Sequence, residues 1–312
     1  MNYVILCIGP VPSALSATLM QRLVKRLTNE ALSIQTIQTM GKGRCIVLTA
    51  DHAKGIHPLL LTKRLGALTE DTQVDVAVLD AHSYRLPKRL LVLDMDSTLV
   101  QSEGIDELAK EAGVGDRVVA ITHRAMNGEI AFPEALRERV RLLKGLPAEV
   151  LERVHQRTML TPGARTLIVT LQHLGVKIAV LSGGFDYFTS RLKETLSLDY
   201  AFSNQLEIKR GRLTGEVIGE IVDGKRKLTL MEEIVQKERI PFTQVIAIGD
   251  GANDLPMITR AGIGIAFNAK PAVREAAPYN ITQKSLDVAL YFIGIGGLEK
   301  EDLISAAVPS SE

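Results

Sequence analysis

Leu90-Leu91-Val92-Leu93-Asp94-Met95-Asp96-Ser97-Thr98-Leu99 decides how this chain reads. Four apolar residues in a row are too few for a helix and suit a strand buried on both faces, as in a parallel sheet. Two carboxylates follow at once, one residue apart. Open α/β sheets bind ligands beyond the carboxyl ends of their strands, and Asp94 and Asp96 stand at such an end. Residues 177–181, 245–248 and 263–267 are further short apolar runs, with helical patterns between them. The alternation predicts an α/β class, a Rossmann-like parallel sheet covered by helices on both faces.

Three other segments accompany residues 94–98. They are Ser182-Gly183-Gly184, the Lys225-Arg226-Lys227 cluster, and Gly249-Asp250-Gly251-Ala252-Asn253-Asp254. The first and last follow strand-like runs, so acidic groups should meet in one crevice. Asp94, Asp96, Asp250 and Asp254 at close range repel unless some are protonated or a cation lies among them. All-oxygen ligands suit Mg²⁺. A lysine, a serine hydroxyl and glycine-rich backbone beside them suit phosphate. Together these groups point to phosphoryl transfer, with an aspartate nucleophile forming an aspartyl-phosphate.

In order and spacing the four segments resemble the motifs of haloacid-dehalogenase-like (HAD) phosphatases. The likeness is closest to the branch acting on O-phospho-L-serine, and includes Asp96-Ser97-Thr98-Leu99-Val100 and Ser182-Gly183-Gly184-Phe185. It implies a phosphoric monoester hydrolase at the last step of serine biosynthesis. Asp94 would be nucleophile and Mg²⁺ ligand. Asp96 would be the acid–base and bind the metal through its carbonyl. Asp250 would complete the metal ligands, and Asp254 would orient a metal-bound water or the lysine. Ser182, Gly183, Lys227 and Asn253 would hold phosphate. Lys227 is taken over Lys225 and Arg226 because the family's lysine falls there. Glu103, nine residues after Asp94, would bind the substrate amine, and Arg139 its carboxylate. Met126 and Phe132 would gate the site from the cap. The alternatives are a HAD phosphatase for another small phosphomonoester and a receiver-like phospho-aspartate signalling protein. An acid–base two residues from the nucleophile works against a long-lived phosphate.

Residues 104–160 are helical throughout and read as a cap inserted beside the site, within a phosphatase domain over residues 86–312. Residues 205–219 read as a hairpin turned at Arg210-Gly211-Arg212. Residues 1–85 read as a separate β-α-β-β-α-β unit of ferredoxin-like type. Ser13 is its expected first helix cap. By element order this unit resembles ACT-type regulatory domains, although its Gly9-Pro10-Val11-Pro12 turn carries no acid. Its plainest role is packing or dimerisation, so a homodimer is expected. Every motif lies beyond Pro87, so that part should fold and act alone.

The rest of the sequence narrows the classes. The 312 residues carry a net charge of +1, no Trp and 4% aromatics, so neither bulk charge nor base-stacking side chains point to nucleic acid. No apolar run reaches the ~18 residues of a membrane span, and no signal peptide is evident, which implies a cytoplasmic protein. Cys7 and Cys45 lie in apolar runs and read as reduced core residues.

Overall fold

The computed structural model describes residues 1–126 and 129–296. The N-terminal unit runs β1 (Asn2–Ile8), α1 (Ala17–Asn29), β2 (Leu32–Met40), β3 (Cys45–His52), α2 (Pro58–Gly66) and β4 (Asp75–Asp80). Its sheet has the order β2-β3-β1-β4 and is antiparallel throughout, the expected ferredoxin-like arrangement. Leu19, Leu23 and Leu27 form the buried stripe of α1. The helix starts later than the sequence suggests. Residues 12–14 make a 3₁₀ turn that takes in Ser13, and Ser16 is the cap, its side chain accepting the Leu19 N–H. Both cysteines are free and buried, and burial pushes the Cys7 thiol up to about 12.

A short helix, α3 (Ala81–Arg85), leads to β5 (Leu90–Leu93). The cap follows as α4 (Gly104–Glu111), α5 (Gly115–Met126), α6 (Phe132–Arg141) and α7 (Glu149–Arg157). The chain returns through α8 (Ala164–His173), β6 (Lys177–Phe185), α9 (Asp186–Leu196), β7 (Tyr200–Lys209) and β8 (Arg212–Ile218). It ends in α10 (Gly224–Glu238), β9 (Val245–Gly249), α11 (Leu255–Arg260), β10 (Ile263–Phe267), α12 (Pro271–Ala276), β11 (Tyr279–Ile281) and a 3₁₀ segment, Leu286–Ile293. The sheet order is β11-β10-β9-β5-β6-β7-β8, with only β8 antiparallel to its neighbour.

Strand β5 is the middle of this sheet, and its pairing aligns the site. Leu93 lies opposite Val180 of β6 and Ile248 of β9, so Asp94, Ser182 and Asp250 follow the aligned residues by one or two positions. Alternate residues of β5 enter two cores, as the pleat requires. Leu90 and Val92 pack with Leu230, Met231 and Ile258 on one side. Leu91 and Leu93 pack with Leu167, Ile168 and Leu286 on the other. Strand β7 starts five residues before the expected hairpin and pairs parallel with β6 before turning back. The turn itself is as expected, with Arg210 and Gly211 both at positive φ (51° and 71°), the conformation of a two-residue hairpin loop. Strand β11, three residues long, was not legible in the sequence.

The second face of the N-terminal sheet is not free. Val4, Leu6, Ile8, Val47, Ala77 and Leu79 share one apolar cluster with Leu286, Val288, Leu290, Tyr291 and Phe292. Buried Asp75 accepts the Thr282 N–H and hydroxyl, each at 2.8 Å, and the Gln283 amide at 3.1 Å. Burial raises its carboxyl above the ordinary value although these bonds oppose the shift. Sequence reading treats the two units as separable because it sees no contact between them; the structure gives them a common wall. A fragment of residues 89–312 is therefore expected to aggregate or to melt well below the full chain. Circular-dichroism melts of both proteins test this; coincident transitions would show the wall to be dispensable.

Candidate active site

Asp94 continues β5 in extended conformation, and the chain then enters a wide turn over Met95–Leu99. Inside it Ser97 takes φ = 57°, a left-handed conformation unusual for a residue with a side chain. The turn directs Asp96 back over the strand ends. Its Oδ1 accepts the Gly104 N–H at 2.8 Å, and its Oδ2 accepts the Ser182 hydroxyl at 3.2 Å. Ser182 leaves β6 fully buried and accepts the Gly184 N–H at 2.8 Å. Gly184 is required by space: a Cβ there would lie 2.5 Å from Asp96 Oδ2.

Lys227 comes from the first turn of α10, which Asp223 caps by accepting the Arg226 N–H at 2.8 Å. The three basic neighbours separate cleanly. Lys225 is exposed, and Arg226 turns to Glu220 and Glu233 on the surface. Lys227 is 0% exposed, with Nζ 2.5 Å from Asp94 Oδ1 and 2.7 Å from Asp254 Oδ1. The other Asp254 oxygen accepts the Gly251 N–H at 3.0 Å. Asp250 is held by the Thr98 hydroxyl at 3.3 Å. Oxygens of Asp94, Asp250 and Asp254 lie within 4.8 Å of one another, a set of hard donors able to hold a metal ion.

The electrostatics follow from packing several acids around one base. Burial, then the charges of Asp254, Asp250 and Asp96, raise the Asp94 carboxyl well above its ordinary value, against Lys227. Burial and Glu103 push Asp96 up to about 7. Burial, Asp254 and Glu103 push Asp250 up to about 7. Burial alone would lower the Lys227 ammonium, but Asp254 and Asp94 more than offset it and hold it above the usual lysine range.

The cap and the turn before α11 supply the remaining expected residues. Glu103 is exposed just before α4, and its Oε1 accepts the Ser97 hydroxyl at 2.7 Å. Arg139 is half-buried between exposed Arg137 and Arg141. It donates to the Ala135 carbonyl at 3.3 Å and the Thr122 hydroxyl at 3.4 Å. Burial lowers its guanidinium, while Asp106, Glu103 and Asp96 pull the other way. Phe132 opens α6 over Gly183, where a Cβ would come within 2.9 Å of its ring. Asn253 sits in the turn before α11, with Oδ1 against Gly251. The side chain of Met126 lies outside the described residues. Sequence reading missed the Ser97, Thr98 and Gly104 contacts. Two hydroxyls beside paired acids were the available hint; the Gly104 N–H had none.

Residues 91–259 match the family model described as haloacid dehalogenase-like hydrolase. The chain belongs to this family. It is 56% identical over 224 residues to a phosphoserine phosphatase of Archaeoglobus fulgidus, covering 72% of this chain and 65% of that protein. The matched stretch is thus just under two thirds of the archaeal protein's length. The crystal structure of a probable phosphoserine phosphatase from Vibrio cholerae superposes with a TM-score of 0.75 at 35% identity, over 98% of this chain and 88% of that one. A substrate-bound phosphoserine phosphatase complex superposes with a TM-score of 0.64 at 45% identity, over 67% of this chain and 99% of that one. Among the described residues no helix is long and apolar enough to cross a membrane.

Gly184 offers a test of the HAD site's geometry. Gly184→Ala should displace the Asp96 carboxylate, and a misplacement near 1 Å costs about 10²-fold in rate. Hydrolysis of a simple aryl phosphate by a folded Gly184→Ala protein should fall by about that factor. Undiminished turnover would mean the Asp96 position does not matter.

Proposed function

We propose that the chain hydrolyses O-phospho-L-serine to L-serine and phosphate, with Asp94 as nucleophile and Mg²⁺ as its metal. The observation that carries this is the meeting of four distant segments at buried Lys227: Asp94 and Asp254 on its Nζ, Asp250 beside them, and Asp96 tied to Ser182. The names carried by its relatives support the choice of substrate.

An Asp94 oxygen attacks phosphorus, and the bond from phosphorus to the serine oxygen breaks. Lys227 holds Asp94 in place and balances charge on the phosphoryl group. Asp96, pushed up to about 7, is substantially protonated near neutrality and gives its proton to the departing alkoxide. It then takes a proton from the water that attacks the aspartyl-phosphate, which releases phosphate and regenerates the Asp94 carboxylate. The bonds from Gly104 and Ser182 fix which way its oxygens face. Asp94, Asp250 and the Asp96 carbonyl would hold Mg²⁺, with Asp254 steadying the lysine. Bound there, Mg²⁺ supplies positive charge against the phosphate oxygens. Around the organic part of the substrate, Glu103 would meet the ammonium and Arg139 the carboxylate, whose planar pair of oxygens suits a guanidinium.

Phosphate release from L-phosphoserine, with Mg²⁺ and with chelator, tests the reading. The parent should be active only with the metal, and Asp94→Asn should lose at least the ~10²–10⁴ associated with one catalytic group. Full activity in chelator, or in Asp94→Asn, would refute it.

The acid cluster also makes a prediction about stability. In Asp96 and Asp250 the folded-state value of about 7 lies above the ordinary 3.8. Their protonated forms favour folding, so that contribution is complete below 3.8 and disappears as pH rises through about 7. Metal-stripped protein should melt lower at about pH 8 than at about pH 5.5, and Mg²⁺ should raise the melting temperature more at the higher pH. An equal shift at both values would contradict the assigned ligands.

Glu103 and Arg139 should select substrate rather than perform chemistry. Removing one partner of a charge pair that bound substrate desolvates costs roughly 3–5 kcal/mol, or about 10²–10⁴ in kcat/KM. Glu103→Gln and Arg139→Ala should show that loss on L-phosphoserine and less than about tenfold on an aryl phosphate. Equal losses on both substrates would move these residues into the phosphate site or the fold.

A further inference from the structure

The parallel pairing of β6 with β7 breaks at the site. Leu181 faces Phe202, but the next pair is Phe185 with Asn204, so Ser182, Gly183 and Gly184 leave the ladder opposite a single residue. A carbonyl in that excursion has no strand partner. The Asn204 side chain supplies one: its Nδ2 donates to the Gly183 carbonyl at 2.8 Å. Its Oδ1 accepts the Val222 N–H, also at 2.8 Å. Val222 immediately precedes Asp223, the cap of α10, and Lys227 lies one turn further on. One amide thus ties the loop of Ser182 and Gly183 to the segment that launches Lys227. Asn204 is 1% exposed, and these two bonds use both ends of its amide.

Resting on the phosphatase reading, we propose that Asn204 is a positioning residue for the phosphate subsite. It acts through Gly183 and Lys227 and does not touch the substrate. A carbonyl held from behind fixes the plane of its peptide, and with it the Gly184 N–H, which the Ser182 hydroxyl accepts. The same side chain sets the distance between this loop and the start of α10. A side chain in this role should affect every phosphate ester alike, unlike Glu103 and Arg139.

Asn204→Asp keeps the size and the acceptor for Val222 but loses the donor to Gly183; Asn204→Ala loses both. In the Mg²⁺-loaded full chain, each should raise KM for L-phosphoserine and p-nitrophenyl phosphate by the same factor, about tenfold to hundredfold. Inorganic phosphate, measured by calorimetry, should bind more weakly by a similar factor. A variant with a lowered melting temperature but parental KM and phosphate affinity would reduce Asn204 to a fold residue and overturn the proposal. So would a loss confined to L-phosphoserine. If the parent hydrolyses neither ester, the phosphatase reading fails, while phosphate binding still decides the role of Asn204. A parent that binds no phosphate overturns both.

Discussion

The burial of Lys227 against Asp94 and Asp254 is the constraint on which the site depends. A fully buried ammonium is tolerable only when opposite charge lies at hydrogen-bond distance, and here two carboxylates provide it. The same contact keeps two acids side by side in a desolvated place. Burial first, then the nearby acids that one lysine cannot neutralise, raises the carboxyls of Asp94, Asp96 and Asp250. Such a site has an affinity for positive charge built into its folding. It also keeps one carboxyl, Asp96, in the range where giving and taking a proton are nearly balanced.

The sheet makes this arrangement affordable. Because Leu93, Val180 and Ile248 are aligned across β5, β6 and β9, Asp94, Ser182 and Asp250 lie within two residues of a common level without long loops. The left-handed Ser97 belongs to the same solution. A chain leaving β5 in a regular helix would carry Asp96 away from Asp94; the wide turn returns it to Ser182 and Gly104. Local strain at Ser97 is offset by its hydroxyl's bond to Glu103 and by the packing of Met95 and Leu99.

The sequence was informative where a signal was local. Continuous apolar runs located β5, β9 and β10, and residue type with spacing located the acids that surround Lys227. What it hid depends on contact between distant elements. The three-residue β11 is too short for a pattern of its own and exists because β10 offers an edge. The start of β7 reads as loop until β6 pairs with it. Ser13 and Ser16 are both plausible caps in sequence, and the 3₁₀ turn beginning at Pro12 decides between them. The wall between the two units is invisible for the same reason: Leu6 or Val47 announces that it is buried, not against what.

That wall changes how the N-terminal unit should be understood. Its sheet covers Leu286–Ile293, and this segment packs in the same core as Leu91 and Leu93 of the strand that carries Asp94. Asp75 anchors the contact through Thr282 and Gln283, just after β11. A displacement of the N-terminal sheet would therefore reach the core that holds Leu91 and Leu93. Close-packed interiors transmit such shifts because they have few voids to absorb them. The cap stands on the other side of Asp94, in contact with solvent, where Glu103 and Arg139 are proposed to meet the organic half of the substrate. On the proposed reading the core thus separates two tasks: rigidity behind Asp94, supplied partly by the N-terminal unit, and selection in front of it.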